Sequence, residues 1–474
     1  MQQKSLLMTL FITGLASIVT LSSFYKPHNQ DLAQNATDDN IEYNGQGKQS
    51  KKRGNVTLSG SFENDYYTAQ NRVGYFYTEV QADKYINEDA TRRPLNTSLV
   101  IDRSGSMAGE KIRNAKKAAK YLIDQMQGDD YVSVVIYDGS VDVLQEAIHP
   151  YNKQSIKNKI DAITDRGGTN LMGGAMKGYS LVKRNHSEEY INRVLLLSDG
   201  LANEGITNPT EIQRIVKRYN NQDGITISTF GVGSDYNEDL MTAMAENGMG
   251  NYYFIKDAEN IAGIFRKELN GLMEVVAQNA ELKITIPDFV NVDKVYGYSF
   301  DQMGRTITIK FHDLFSEETK GVLVKYSISN RINQPLAFET SLSYTDIYQR
   351  QRERIALLCK SEFTNNFNVY NRSFSDWVST QVAIYVSNDR LETAMKEVDK
   401  GNYSEAKRIV QENKEYISSK PALLQKSVEL QRAASTNSGY EMNVDAAPSM
   451  DESERKVMQK ASKSDNYQIR NKKK

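Results

Sequence analysis

The feature that most constrains this 474-residue chain is a regular alternation of apolar and amphipathic segments between residues 95 and 275. Ser98 to Asp102 reads as a strand. Gly109 to Met126 follows as a helix in which Ile112, Ala115, Ala119, Leu122 and Ile123 recur at helical spacing. Tyr131 to Tyr137 is a second strand and Val141 to Leu144 a short third. Helices over Ser155 to Ile163 and Leu171 to Val182 lead to Val194 to Leu197, a wholly apolar run. A central parallel strand covered by helices on both faces has this composition. The pattern continues with a helix over Thr210 to Tyr219, a strand over Ile225 to Gly231 and a helix over Asn237 to Glu246. A strand over Tyr252 to Ile255 and a helix over Asn260 to Val275 close it. Such alternation predicts a doubly wound, Rossmann-like α/β domain over 95–275.

In open α/β sheets the functional groups gather at the carboxyl ends of the strands, and three polar clusters fall there. Asp102-Arg-Ser-Gly-Ser106 follows the first strand, Gly167-Gly-Thr-Asn170 precedes a helix, and Ser198-Asp-Gly200 follows the apolar run. Together they offer carboxylates and hydroxyls, with no imidazole or thiolate. That all-oxygen set suits a hard cation, and Mg²⁺ needs few protein ligands because it keeps several waters. Mn²⁺ and Ca²⁺ accept the same oxygens. Taken singly, each cluster reads as a flexible loop, a helix entry capped by Thr or an ordinary turn. Their joint appearance, in order and on these elements, is what points to a metal.

The same residues carry a resemblance. Asp102-x-Ser104-x-Ser106, Thr169 in a glycine-rich loop and Asp199-Gly resemble the metal-ion-dependent adhesion site of von Willebrand factor A domains, with all five positions matching. Asp102 to Ile112 (Asp-Arg-Ser-Gly-Ser-Met-Ala-Gly-Glu-Lys-Ile), Thr229 to Ser234 and Gly250-Asn-Tyr-Tyr-Phe-Ile resemble bacterial members, and the likeness covers most of 95–275. It implies Ser104 and Ser106 as direct ligands and Thr169 as a direct or water-mediated one. Asp102 and Asp199 would act directly or through water. It also implies a partner that supplies an acidic residue to the metal.

Outside this domain the periodicity changes. Val73, Tyr75 and Tyr77 alternate before it. Leu282, Ile284 and Ile286, Ile307, Ile309 and Phe311, the run Val322 to Ile328, and Leu336, Phe338, Leu342 and Tyr344 follow it. Period two predicts half-buried antiparallel strands, so residues 55–94 and 276–348 are expected to form one β-sandwich that receives the α/β domain as an insertion. Residues 350–432 are expected to be helical. Leu391 to Ile417 resembles one tetratricopeptide-like hairpin, and Trp377 and Tyr385 are core residues of the helix before it. The polar stretches 26–54 and 433–474 are expected to be a disordered linker and tail.

At the N-terminus Lys4 precedes an uncharged run from Ser5 to Tyr25. It reads as a signal peptide, or as an N-terminal anchor because it is just long enough to span a bilayer. Either way the chain is expected outside the cytoplasm, in the periplasm, at the cell surface or secreted. The single cysteine, Cys359, excludes an intramolecular disulfide. Lys and Arg number 59 against 60 Asp and Glu, with no basic stripe, so nucleic acid is not an indicated partner. No zinc-protease, phosphate-loop or nucleophile-elbow motif is present. His28, His149, His186 and His312 lie far apart and read as surface or loop residues. The expectation is a non-enzymatic protein that binds a protein or surface ligand through its metal. The alternatives are a scaffold subunit stabilised by metal and a metal-dependent hydrolase.

Overall fold

A computed structural model of the chain describes residues 42–44, 47–84, 93–329, 333–349 and 351–470. The expected signal peptide and most of the linker, with residues 471–474, lie outside the described residues. Three sheets and a set of C-terminal helices make up the structure. Among the described residues no helix is long and apolar enough to cross a membrane.

The α/β domain is built on a six-stranded sheet. Its order is Met249–Ile255, Thr226–Val232, Ile191–Ser198, Leu95–Asp102, Tyr131–Tyr137 and Val141–Ile148. The first five strands run parallel and the last antiparallel. Leu95–Asp102 and Ile191–Ser198 are buried at every position, because helices cover both faces. Leu99, Ile101, Leu195 and Leu197 pack on one face with helices Glu110–Gln125 and Ile261–Met273. Val100, Val194 and Leu196 pack on the other with helices Leu171–Arg184, Pro209–Asp223 and Glu238–Asn247. From Leu95–Asp102 the chain first builds the sheet to one side, then returns through Ile191–Ser198 to build the other. The strand order therefore reverses between these two neighbours, and a crevice opens at their carboxyl ends.

Two sheets form the β-sandwich, antiparallel except where the short strand Tyr66–Tyr67 pairs parallel with Gln351–Phe363. Early strand Val73–Ala82 pairs with late strand Thr319–Ile328, with Thr78 opposite Val322 and Phe76 opposite Val324. The chain thus leaves the sandwich, makes the α/β domain and returns at Val275–Thr285. Between the sheets Phe62, Phe76, Tyr326 and Phe338 pack tilted and edge-to-face, with the Phe62 and Phe338 ring centroids 4.8 Å apart.

Several sequence boundaries need correction. Lys48–Arg53, inside the expected linker, is a strand paired with Val56–Phe62. The hairpin turns at Gly54, whose φ of 54° suits glycine. Backbone pairing holds this strand despite its polar side chains. Gln351–Phe363, expected to be helical, is a strand whose Ile355, Leu357 and Cys359 face inward while the residues between them are exposed. Residues 433–470 are not a disordered tail: Val428–Ala446 and Glu452–Arg470 are helices. Their buried faces interleave Tyr440, Val444 and Met458 with Ala433, Asn437, Lys460 and Asn466, so the apolar stripe that reveals a helix is broken. His312 is also not a surface residue. Its ring is buried at a bulge in strand Thr306–Phe315, where φ is 59°. Burial, then the charges of Lys310, Lys320 and Arg193, lower its pKa to about 4.

Candidate metal centre

The crevice at the strand reversal gathers Asp102, Ser104, Ser106, Thr169 and Asp199. Asp102 ends its strand fully buried. Its Oδ1 accepts from the Ser104 amide at 2.8 Å and its Oδ2 from the Ser198 hydroxyl at 2.6 Å. Burial pushes the Asp102 carboxyl up, while these hydroxyl and amide donors pull it back. The Ser104 and Ser106 hydroxyls lie 3.0 Å apart, and Ser106 donates to Asp199 Oδ1 at 2.8 Å. The other Asp199 oxygen accepts from the Lys111 ammonium, at the start of the first helix. Gly200 keeps the centre open. A Cβ there would lie 3.2 Å from Thr169 Oγ1 and 3.4 Å from Ser106 Oγ, so any other residue would crowd both hydroxyls.

The loops that carry these oxygens are pinned to one another. The Gly105 amide donates to Gly167 O at 3.2 Å and the Arg166 amide to Arg103 O at 2.7 Å. Arg103 and Arg166 each donate through Nε to Asp138 Oδ2 at 2.8 Å. Burial raises the Asp138 pKa, but Arg166, Ser140 and Arg103 outweigh it and hold the carboxyl well below the usual range. Thr169 is fixed from the far side, its amide donating to Asn203 Oδ1 at 2.9 Å and its carbonyl accepting from the Asn203 amide at 3.1 Å.

The oxygen spacing fits a small octahedral cation. Ligands about 2.1 Å from Mg²⁺ stand about 3.0 Å from their neighbours along an octahedral edge. The Ser104–Ser106 and Ser106–Asp199 separations, 3.0 and 2.8 Å, match that edge. Ser198, Lys111 and Asn203 are site residues that sequence reasoning did not assign. Ser198 stood in the quoted Ser-Asp-Gly and Lys111 in the quoted first-loop motif, yet neither pattern says which carboxylate each one meets.

A second carboxylate cluster lies elsewhere. Oxygens of Glu238, Asp239 and Asp399 come within 4.8 Å of one another. Lys463 reaches all three, at 2.9, 3.1 and 2.8 Å, and Lys460 also binds Glu238. This cluster ties the last helix to the α/β domain.

Comparison with known proteins bears on the α/β domain. The von Willebrand factor type A domain family matches residues 98–267. YfbK of Escherichia coli is 31% identical over 211 residues, which is 44% of this chain and 36% of that protein. Human inter-alpha-trypsin inhibitor heavy chain H3 is 30% identical over 210 residues, 40% of this chain and 23% of that protein. The matched region therefore spans about a third or less of these relatives. Among solved structures, a von Willebrand factor type A protein from Catenulispora acidiphila shares the fold with a TM-score of 0.66. It is 15% identical, over 80% of this chain and 88% of that one. The ArnB paralog VWA2 from Sulfolobus acidocaldarius shares it with a TM-score of 0.59 and 18% identity, over 85% and 98%. The chain carries a von Willebrand factor A domain in a doubly wound α/β fold, with further sheets and a C-terminal helical segment.

Proposed function

We propose that the chain works outside the cytoplasm as a metal-dependent binding protein, holding Mg²⁺ at Asp102, Ser104, Ser106, Thr169 and Asp199. The observation that carries the proposal is the run of oxygens at octahedral spacing, from Ser104 through Ser106 to Asp199. Ser104, Ser106 and Thr169 would hold the ion, with Asp102 and Asp199 acting directly or through water. The bound ion supplies a positive centre to which a carboxylate of a partner protein or surface ligand attaches. Three neutral hydroxyls leave much of the ion's charge uncompensated, which favours an acidic partner. Ser198 and Ser104 N hold the Asp102 carboxylate in fixed orientation, the role of outer partners in metal sites, while Lys111 offsets charge on Asp199.

Hydrogen bonds between Gly105 and Gly167, Arg166 and Arg103, and Asn203 and Thr169 already tie the loops together. That supports an ion that receives a ligand over one that only staples loops. The groups seen around the oxygens are hydroxyls, carboxylates and a lysine already paired to Asp199, which supports binding over hydrolysis. The export reading rests on the sequence of Ser5 to Tyr25 alone.

The test is a pull-down from the native cell envelope with Mg²⁺, with a chelator, and with Asp102→Ala. The proposal expects a partner retained only by the wild type with metal. Equal capture in all three conditions contradicts it.

A further inference from the structure

A second cleft, remote in kind from the metal centre, lies between the β-sandwich and the C-terminal helices and has a volume of about 620 Å³. Drug-sized and peptide-sized ligands occupy cavities of roughly 300–1,000 Å³. Its wall joins strand Val73–Ala82, helix Asp376–Asp399 and helix Val428–Ala446. Glu79, Glu317, Asp376 and Glu429 face Lys426 and Arg432 there, four acids against two bases, for a lining charge of −2.

The chemistry of the wall is one-sided. Gln381 lines the cleft and is 3% exposed. Its amide nitrogen donates to Glu429 Oε2 at 3.0 Å, and its Oε1 is buried with no hydrogen-bond partner. Flipping the amide would set that oxygen against the Glu429 carboxylate, so the free group is an acceptor. A buried acceptor left unpaired costs roughly 1–3 kcal/mol, and a donor from a ligand recovers it. Glu79 accepts from the Tyr77 hydroxyl at 2.8 Å. Both Glu79 and Glu429 act on the buried Tyr385 phenol, which burial chiefly and then these charges push up. Both carboxylates line the same cleft as Gln381.

Trp377 completes the wall. Its ring already carries a cation, the Lys48 ammonium, 4.0 Å from the centroid. Aromatic faces attract ammonium and guanidinium groups through their quadrupole, and Lys48 takes up this face of Trp377. Asp376 is already paired to Lys426 at 2.7 Å, so the groups a cationic ligand with several N–H donors suits are Glu79, Glu429 and the Gln381 oxygen.

We propose that this cleft binds a cationic amine or guanidinium, carried by a basic peptide side chain or by a free polyamine. Glu79 and Glu429 supply the charge and Gln381 Oε1 the fixed acceptor, while Trp377 lines the cleft beside them. The site is independent of the metal centre, so either can fail without the other.

Trp377 is the single tryptophan of the chain, and its fluorescence reports the cleft directly. The experiment titrates the full chain with spermidine and, separately, with the amidated peptide Arg-Lys-Arg, following fluorescence and heat. A citrulline-for-arginine, acetyl-lysine version of the peptide is the neutral control. Saturable binding of either cationic probe, absent with the neutral peptide, is the expected result. The probe that binds identifies the source. Glu429→Gln is expected to weaken binding about tenfold, and Gln381→Leu several-fold, at unchanged melting temperature. Asp102→Ala is expected to leave it unchanged. The proposal is overturned if neither cationic probe gives a saturable signal, or if binding survives Glu429→Gln and Glu79→Gln at wild-type strength.

Discussion

The metal-centre crevice and the anchor of the last helix both concentrate carboxylates, and they use them in opposite ways. At the anchor, Glu238, Asp239 and Asp399 surround Lys463, with Lys460 adding a second cation. The protein itself neutralises that cluster. In the crevice, Asp102 is held by a hydroxyl and an amide, neither charged, and Asp199 by one hydroxyl and one lysine. Uncharged donors orient an oxygen without cancelling its charge. Proximity of acids alone thus does not make a cation site; what matters is whether the chain's own lysines already fill it.

The largest effect expected from breaking this comparison is at the anchor. Lys463→Met leaves three carboxylates close together with little compensation, and should destabilise the protein by about 3 kcal/mol, read by chemical denaturation. An unchanged midpoint would mean the cluster holds nothing. A smaller effect follows from pH. Burial raises the Glu238 pKa, but Lys463 and Lys460 outweigh it and bring it to about 2. A carboxyl depressed in the folded state stabilises above its unfolded pKa, near 4.5, and loses that contribution as pH falls toward about 2. Glu238→Gln should remove about 2 kcal/mol of this pH dependence, measured as melting temperature across that window, and parallel wild-type and variant curves would refute it.

Effects at the crevice are expected to be smaller in stability and visible in metal affinity. Ser198→Ala takes away the hydroxyl that orients Asp102, and should weaken Mg²⁺ about tenfold while leaving the melting temperature of the metal-free protein within a few degrees. Lys111→Met is the sharpest probe of the contrast. It removes the one ammonium paired to the site among the described residues, and should strengthen Mg²⁺ binding a few-fold by leaving more charge on Asp199. Weaker binding in that variant would assign Lys111 to positioning and not to charge compensation.

The contrast also explains what the sequence could reveal. The crevice residues lie directly after apolar runs, Asp102 after Ser98–Ile101 and Asp199 just past Val194–Leu197, so strand pattern and motif coincide within a few residues. The doubly wound fold was legible for the same reason, because both faces of Leu95–Asp102 and Ile191–Ser198 are buried and each strand carries an unbroken apolar run, Leu99–Ile101 and Val194–Leu197. The anchor was not legible. Lys460, Lys463 and Tyr467 turn polar atoms toward the α/β domain, with the Tyr467 hydroxyl donating to Gly250 O and accepting from the Tyr252 amide, each at 3.3 Å. A helix docked through polar groups has the composition of a solvated tail. Strand Lys48–Arg53 was hidden in the same way, since its order comes from backbone pairing across Gly54. Ser198 and Lys111 were visible as letters, but their partners are set by which strand ends meet at the sheet's reversal.

The most direct measurement is a calorimetric titration of the purified chain with Mg²⁺, beside Asp102→Ala and Lys463→Met. The account predicts one ion per chain, affinity reduced at least about a hundredfold by Asp102→Ala, and wild-type affinity in a Lys463→Met protein that remains folded. Stoichiometric binding that survives Asp102→Ala, or that is lost with Lys463→Met, would contradict it.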